Sequence, residues 1–164
     1  MAAKGKHRQL FGRFKFRVAI SKIESAAFQS ASGLKFTIGV AEYWEGGALA
    51  AYKEAGRATF DNLTLERGVS YNDDFHSWVL EVIDMQRMGG LGAGELSPNY
   101  KQDGDIRQLE RDGNVALLHP FYDAFPIEYT PGEWDGNVDE VTMETLVLTY
   151  WYFDKVVVGS QSAG

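Results

Sequence analysis

Residues 105–154 constrain the fold more than any other part of the chain, because they contain three long segments separated by two turn signals. The first turn signal is Asp112-Gly113, a pair typical of two-residue hairpins, in which both central residues take positive φ. The second is a run of Pro, Gly, Asp and Asn within residues 130–137. Three extended segments joined by two reversals predict an antiparallel β-sheet.

The last of these segments changes character at Leu146. Before it, Glu140, Thr142 and Glu144 place polar side chains at every second position, which predicts a strand with one solvated face. From Leu146 onward, both sides are apolar or aromatic; one side comprises Leu146, Leu148, Tyr150 and Tyr152, and the other comprises Val147, Trp151 and Phe153. A strand that is apolar on both sides is covered on both faces. Because a domain of this size rarely covers both faces of an antiparallel sheet, we expect another subunit to supply the missing cover.

The length of 164 residues predicts one domain, and a 45% share of hydrophobic residues is enough to build a core. The chain has no cysteine, which excludes disulfide bonds and thiolate metal sites. Its first residues contain no apolar run typical of a signal peptide, and no segment approaches the length of a membrane span. We therefore expect assembly in a reducing cytosol and no membrane insertion.

The net charge of −7 is unevenly distributed along the chain. Residues 1–17 carry six basic and no acidic side chains, whereas the remaining 147 residues carry 10 basic and 23 acidic ones. A basic arm can bind nucleic acid. We favour a simpler interpretation, because half of these charges alternate along a predicted strand and the acidic body would repel phosphates. Such a body suits a surface past which nucleic acid or cargo slides without sticking.

The other periodic segments predict a mainly β protein. Residues 13–20 alternate basic and apolar side chains, and residues 28–44 form a second extended region with a bend or bulge at Gly33. Residues 59–67 predict a further strand that ends at Gly68.

One helix is predicted over residues 73–87. Ser70 is its expected N-cap, and its apolar stripe comprises Phe75, Trp78, Val79, Val82 and Ile83.

The predicted organisation of the chain is a basic arm over residues 1–12, a single β-domain over residues 13–154 and a tail over residues 155–164.

Residues 45–57 connect two predicted strands through a stretch rich in small residues. Thirteen residues are long for a hairpin connection, and loops of this length tend to be functional or disordered. Leu49 and Tyr52 would be exposed on an isolated loop, which favours docking on a neighbouring subunit over a plain surface loop. The residues predicted to make contacts between subunits or rings are Trp44, Glu45, Leu49, Tyr52, Lys53, Glu54 and Arg57.

No residue pattern indicates catalysis. The glycine run at residues 89–94 lacks the Lys-Ser/Thr pair of a phosphate-binding loop and follows a helix, so it predicts a helix end and a loop reaching about Gly104. His7, His76 and His119 lack the spacing of a zinc or iron site, and there is no nucleophile-elbow motif. We predict a protein without enzymatic activity, metal or cofactor; the alternative is a monomeric enzyme or binding module whose site is assembled from scattered residues.

Five segments together carry a resemblance to a known family. They are FKFRVAI at residues 14–20, FQSASGL at 28–34, VAEYWEGG at 40–47, FDNLTLERG at 60–68 and DEVTMETL at 139–146. Each motif alone is weak, but five in this order resemble the tail tube proteins of contractile phage tails and of the related extracellular contractile injection systems. The chain departs from that family in a more basic arm before residue 14 and a longer loop over residues 89–104.

The resemblance implies an antiparallel β-barrel or sandwich with one flanking helix, six copies of which close into a ring through contacts between their sheets. It further implies that rings stack into a tube inside a contractile sheath, with loop 45–57 reaching an adjacent ring. The implied partners are further copies of this chain, a sheath protein, a baseplate or tube initiator, a tape measure protein, a tail terminator, and DNA or protein cargo that passes the lumen without sequence-specific binding.

The implied function is that of a structural protomer of an inner tail tube. The protein would assemble in the bacterial cytoplasm and become part of a virion tail or an extracellular injection particle; the residues leave open which of the two. The alternative is a secreted hexameric carrier ring of the type VI secretion type, which binds effectors in its lumen. Filaments inside a sheath favour the first function, and free rings carrying cargo favour the second.

Overall fold

A computed structural model describes residues 11–13, 15–23, 28–89 and 99–159, with only the backbone for residues 85–89. The predicted basic arm up to residue 10 with His7, the glycine run from residue 90 onward and the last part of the tail from residue 160 lie outside the described residues.

The described chain forms ten strands and one helix. In order they are β1 (Phe16–Ile20), β2 (Phe28–Ser32), β3 (Phe36–Tyr43), β4 (Tyr52–Phe60), β5 (Leu63–Gly68), α1 (Asp74–Gly89), β6 (Gln102–Leu109), β7 (Val115–Thr130), β8 (Met143–Thr149), β9 (Tyr152–Phe153) and β10 (Val156–Val157). All strand pairs are antiparallel. The predicted mainly β, antiparallel fold with one flanking helix is confirmed.

The long strand β7 organises the main sheet, whose strand order is β1-β6-β7-β8-β5-β2. Strand β6 pairs with residues 115–124 of β7, and β8 pairs with residues 125–130. Near the change of partner the β6–β7 register shifts, and Asp123 adopts a positive φ of 54°. The Asp103 carboxylate accepts a hydrogen bond from the Asp123 backbone N–H at 3.0 Å. A bulge bends the strand that carries it, so β7 contributes to two differently oriented parts of the sheet.

The core is built mainly from residues of β1, β5, β7, β8 and α1. Strands β5 and β8 bury every second residue, as strands with one packed face do. Trp78 is fixed in the core by its indole N–H, which donates to the Tyr100 carbonyl at 2.8 Å. The main buried apolar residues are Val18, Ile20, Ile23, Leu63, Leu65, Phe75, Trp78, Phe121, Ala124, Leu146, Leu148 and Tyr150.

A buried ion cluster joins α1 to the sheet. The guanidinium of Arg67, only 2% exposed, pairs with the carboxylates of Glu144 and Asp74 and lies 3.7 Å from the Phe75 ring centroid. The Tyr129 hydroxyl donates to Glu144 at 3.2 Å. Burial disfavours the charged guanidinium, but the hydrogen bonds that it donates to Asp74 and Glu144, together with the negative charges of these carboxylates, outweigh burial and raise the pKa of Arg67.

The interpretation of Glu144 as part of a solvated strand face was wrong. Glu144 is 4% exposed and lies on the same buried side of β8 as Leu146. A carboxylate is tolerated there because Arg67 and Tyr129 satisfy it, whereas an unpaired buried charge would be costly. The same strand ends at Thr149 and β9 begins at Tyr152, so residues 146–153 are not one continuous strand; Trp151 between them is 72% exposed in the single chain.

The first predicted turn has a different geometry. Gly113 has a φ of 90°, but Asp112 does not join it at positive φ. The Glu110 N–H donates to the Asn114 carbonyl, and the Gly113 N–H donates back to the Glu110 carbonyl. These bonds close a three-residue loop, the next commonest hairpin connection, with glycine at its left-handed position.

Several predicted element bounds also differ. The predicted strand over residues 59–67 is divided between β4 and β5. The loop expected to reach Gly104 ends earlier, because β6 begins at Gln102. The predicted tail contributes β10, which pairs with Leu117 and Leu118 of β7.

The helix begins one residue later than predicted and ends at Gly89. Ser70 does not cap it; Asn72 accepts a hydrogen bond from the Asp74 N–H at 3.2 Å instead. Of the predicted apolar stripe, Phe75 and Trp78 are buried, Val79 and Val82 are half-buried, and Ile83 is exposed.

Replacing Gly104 by alanine is expected to destabilise the fold by about 1–3 kcal/mol, the usual cost of overpacking. An added Cβ would lie 2.6 Å from the Phe121 ring, 2.7 Å from Ile20 and 2.9 Å from the Ala19 carbonyl. Urea unfolding measures the loss. Gly136→Ala is the matched control, because no atom outside Gly136 and its two chain neighbours lies within 4 Å of its added Cβ. An equal loss in both variants would contradict this account.

Candidate assembly surface

Strands β3 and β4 form a two-stranded antiparallel sheet of their own, called the hairpin from here on. Its pairing runs from Phe36 opposite Phe60 at the base to Tyr43 opposite Tyr52 near the tip. The register shifts once, between Ile38 and Val40. Residues 44–51 connect the two strands.

Both faces of the hairpin are open. Every residue of β3 is exposed, and in β4 only Phe60 at the base is half-buried. An isolated two-stranded hairpin is only marginally stable in water, because neither face buries apolar area. The exposed large apolar side chains of the hairpin and its tip are Phe36, Ile38, Val40, Tyr43, Trp44, Leu49 and Tyr52.

The predicted loop over residues 45–57 is shorter than expected, because β4 begins at Tyr52. Lys53, Glu54 and Arg57 are therefore strand residues. This strand was not predictable, because residues 52–60 show neither an alternation of apolar and polar side chains nor any other regular pattern.

The seven predicted contact residues all lie on the hairpin or its connection. Trp44 follows β3 directly, the Glu45 carbonyl accepts the Ala48 N–H at 3.1 Å, and Leu49 is fully exposed. The Lys53 ammonium lies 3.8 Å from the Glu42 carboxylate, and both side chains are about half exposed or more. Their part in contacts with other copies stays a prediction.

Near the tip, the side chains of both strands border a shallow groove of about 290 Å³, lined by Tyr43, Glu45, Ala48, Ala50 and Tyr52. Phe36, Ile38, Val40 and Tyr43 were not among the predicted contact residues. Phe36, Ile38 and Val40 occupy every second position, which indicates a strand but does not distinguish a face packed on the core from one presented to a partner.

A second exposed apolar area lies beside β9. The Tyr122 and Tyr152 rings stack at 6.5 Å, and the Trp151 ring lies 6.2 Å from Tyr152. Tyr122 also lines a groove of about 500 Å³ that Asp103 and Asp105 border.

The described residues contain few groups with perturbed acidity. Burial and the nearby Lys155 charge lower the pKa of His119. Burial, and to a smaller extent the Glu144 charge, raises the pKa of Tyr129.

Over the described ranges, no three His, Asp or Glu side chains are placed to hold a metal ion. In the same ranges, no helix is long and apolar enough to cross a membrane.

Comparison with solved structures places the fold among the tubes of contractile injection machines. The sheath-tube complex of the PVC extracellular contractile injection system in its extended state contains a chain with a TM-score of 0.74 and 19% identity, over 96% of this chain and 100% of that one. The tube-terminating cap of the anti-feeding prophage contains another, with a TM-score of 0.75 and 21% identity, over 96% and 100%. Hcp1 from Salmonella typhimurium is a more distant match, with a TM-score of 0.53 and 12% identity, over 87% and 85%.

The family model described as T4-like virus tail tube protein gp19 matches residues 12–154. The chain belongs to this tail tube protein family, and the resemblance found in its sequence is confirmed. A comparison with curated protein sequences gave no match.

Proposed function

We propose that the protein is a non-enzymatic structural protomer that closes into six-membered rings and stacks, ring on ring, into the inner tube of a contractile particle. The observation that carries this proposal is the hairpin, whose two faces are both uncovered. A marginal element of this kind becomes stable when another copy covers it. Membership of a tail tube family supplies the kind of assembly in which such cover is repeated.

Charge supports the passive role of the tube. Outside its first 17 residues the chain carries 10 basic and 23 acidic side chains. An acidic surface repels polyanions and therefore retains neither DNA nor acidic cargo. DNA or protein cargo would pass the lumen without sequence-specific binding.

The partners follow from the assemblies in which similar chains occur. Those chains belong to a sheath-tube complex, a sheath/tube terminator, a tube-terminating cap and a baseplate. We infer a sheath around this tube, a baseplate or initiator at one end, a terminator at the other and a tape measure protein that sets its length. Assembly would take place in the bacterial cytoplasm, before the tube enters a virion tail or an extracellular injection particle.

Negative-stain microscopy of the purified protein, together with its mass in solution, tests this function. Rings with a central hole, and tubes formed from them at higher concentration, are the expected result. Free rings that never stack and that copurify with bound protein would favour the secreted carrier ring instead. A monomeric mass at all concentrations would contradict both and would favour an enzyme or binding module.

A further inference from the structure

The hairpin lies next to the strand pair β2–β5 along the same two chain segments, separated from that pair by a break in the strand pairing. Strands β2 and β5 pair with each other, and β3 and β4 extend the same two chain segments outward. The ladder is interrupted at residues 33–35 on one side and 61–62 on the other. Gly33 adopts a φ of 105° in this break.

Contacts at the break join the two segments that connect the hairpin to β2 and β5, residues 33–35 and 61–62, to each other. The Asp61 N–H donates to the Lys35 carbonyl at 2.9 Å, and the Lys35 ammonium lies 3.6 Å from the Asp61 carboxylate. A Cβ on Gly33 would lie 2.0 Å from the Asn62 carbonyl, so the backbones of the two connecting segments approach closely here. These contacts join the two connecting segments to each other, and none of them reaches strands β7–β9.

Aromatic rings join the hairpin to the body. Phe60 and Phe36 form the first cross-strand pair beyond the break. The Phe60 ring lies 6.1 Å from Tyr150, 5.8 Å from Tyr152 and 6.0 Å from Phe153, edge to face in each case. Edge-to-face pairs at this spacing are attractive and have a preferred orientation.

The body side of this cluster is rigidly held. Phe153 lies in β9 opposite Phe121, which is fully buried. Tyr150 belongs to the core and lies 6.4 Å from the same Phe121 ring. Phe36 adds one contact to the body, 5.8 Å from Phe153. Phe60 is therefore the residue through which most of the hairpin's ring contacts reach the core.

We propose that Phe60 is a positioning residue, whose ring fixes the hairpin at one angle across the break, so that each copy presents its hairpin in the docking orientation before it meets another copy. This inference rests on the proposed function, since it assumes that the hairpin docks. Without the ring, the hairpin samples several angles, and only the fraction of molecules with the correct angle is competent to assemble. Apparent affinity falls in proportion to that fraction.

The test measures the hairpin angle in protein that does not stack. The chain has no cysteine, so Ala48→Cys at the tip and Glu128→Cys on the body give one specific pair of spin labels. Both positions are exposed. The labels are placed in the Leu49→Asp, Tyr52→Asp background, and labelled chains are diluted into unlabelled ones. Pulsed electron paramagnetic resonance then reports the distance distribution within one chain.

A narrow distribution is expected with Phe60, a broad one with Phe60→Ala, and a narrow one again with Phe60→Tyr, which retains the ring. Phe60→Leu keeps apolar volume without a ring and is also expected to broaden the distribution; it decides the matter if Phe60→Ala does not fold. A narrow, unshifted distribution in a folded ringless variant would overturn the proposal.

Assembly provides a second readout in chains with the native tip. If a tenth of Phe60→Ala molecules hold the docking angle, the concentration needed for tube formation rises about tenfold. Phe60→Tyr is expected to restore it. Failure of the unsubstituted protein to form rings or tubes would overturn the proposed function, whereas the distance distribution tests the positioning role whether or not tubes form.

Discussion

Protein that carries Leu49→Asp together with Tyr52→Asp is expected to fold normally and to form no stacked tubes. Both side chains are exposed in the single chain, so aspartate at these positions costs the fold little. In an assembled tube, however, each hairpin would bring two carboxylates into a covered contact. Removing an unpaired charge from water costs on the order of several kcal/mol. Each loss of about 1.4 kcal/mol in binding free energy weakens an association about tenfold.

Circular dichroism and thermal melting check that the double variant is folded, and negative-stain microscopy measures its assembly. Leu49→Met with Tyr52→Phe is the matched control, because it changes the same two positions while keeping their apolar area; it is expected to form tubes. If the aspartate variant polymerises as the unsubstituted protein does, the hairpin tip is not an assembly contact.

Arg67→Ala is expected to cost about 3–5 kcal/mol of unfolding free energy, the usual penalty for removing one partner of a buried ion pair. The substitution leaves Glu144 buried without its cation and also removes the guanidinium that pairs with Asp74. Since domains are stable by only about 5–15 kcal/mol, the variant retains a fraction of its native stability. Because α1 contributes Asp74 and Phe75 to this cluster, its packing on the sheet is expected to loosen first.

Urea unfolding followed by circular dichroism measures this loss. Arg107→Ala is the control, because Arg107 pairs with Asp105 at 2.7 Å on a partly exposed surface. Exposed ion pairs contribute about 0–1 kcal/mol, so the control is expected to unfold near the native midpoint. A loss below about 1 kcal/mol for Arg67→Ala would show that the buried cluster does not hold the helix to the sheet.

The body of the fold follows from local sequence signals. Alternation over residues 13–20 identified β1, which buries one face, and the apolar stripe containing Phe75 and Trp78 identified the helix. Gly33 was expected at a bend and lies at positive φ beside the Asn62 backbone. These signals are local because each reports one face against one core.

Other features depend on partners far away in the chain. The burial of Glu144 depends on Arg67, which lies 77 positions earlier. The spacing of apolar and polar residues does not reveal an ion pair between residues so far apart in the chain. The aromatic pair Phe36 and Phe60 could be read only as two strand residues, because their contact with Phe153 arises from the folded topology.

Most of β4 was not predicted from the sequence for a different reason, whereas β3 lies within the predicted extended region. The side chains of β4 are exposed on both faces in the single chain, so they need not alternate. In residues 45–57, the charged residues Lys53, Glu54 and Arg57 follow small residues and Tyr52, and the apolar residues show no regular spacing. Such a composition is typical of a loop. If another copy covers this strand, as we propose, its sequence fits a contact between copies, and patterns that assume a single core do not detect it.

Electron cryomicroscopy of the assembled particle tests most directly whether this folding unit is completed by its own copies. We predict that β3 and β4 lie against a neighbouring copy, with Ile38, Leu49 and Tyr52 covered. An assembled particle in which the hairpin extends into open solvent would contradict this account, as would a protein that stays a single, fully folded copy at every concentration.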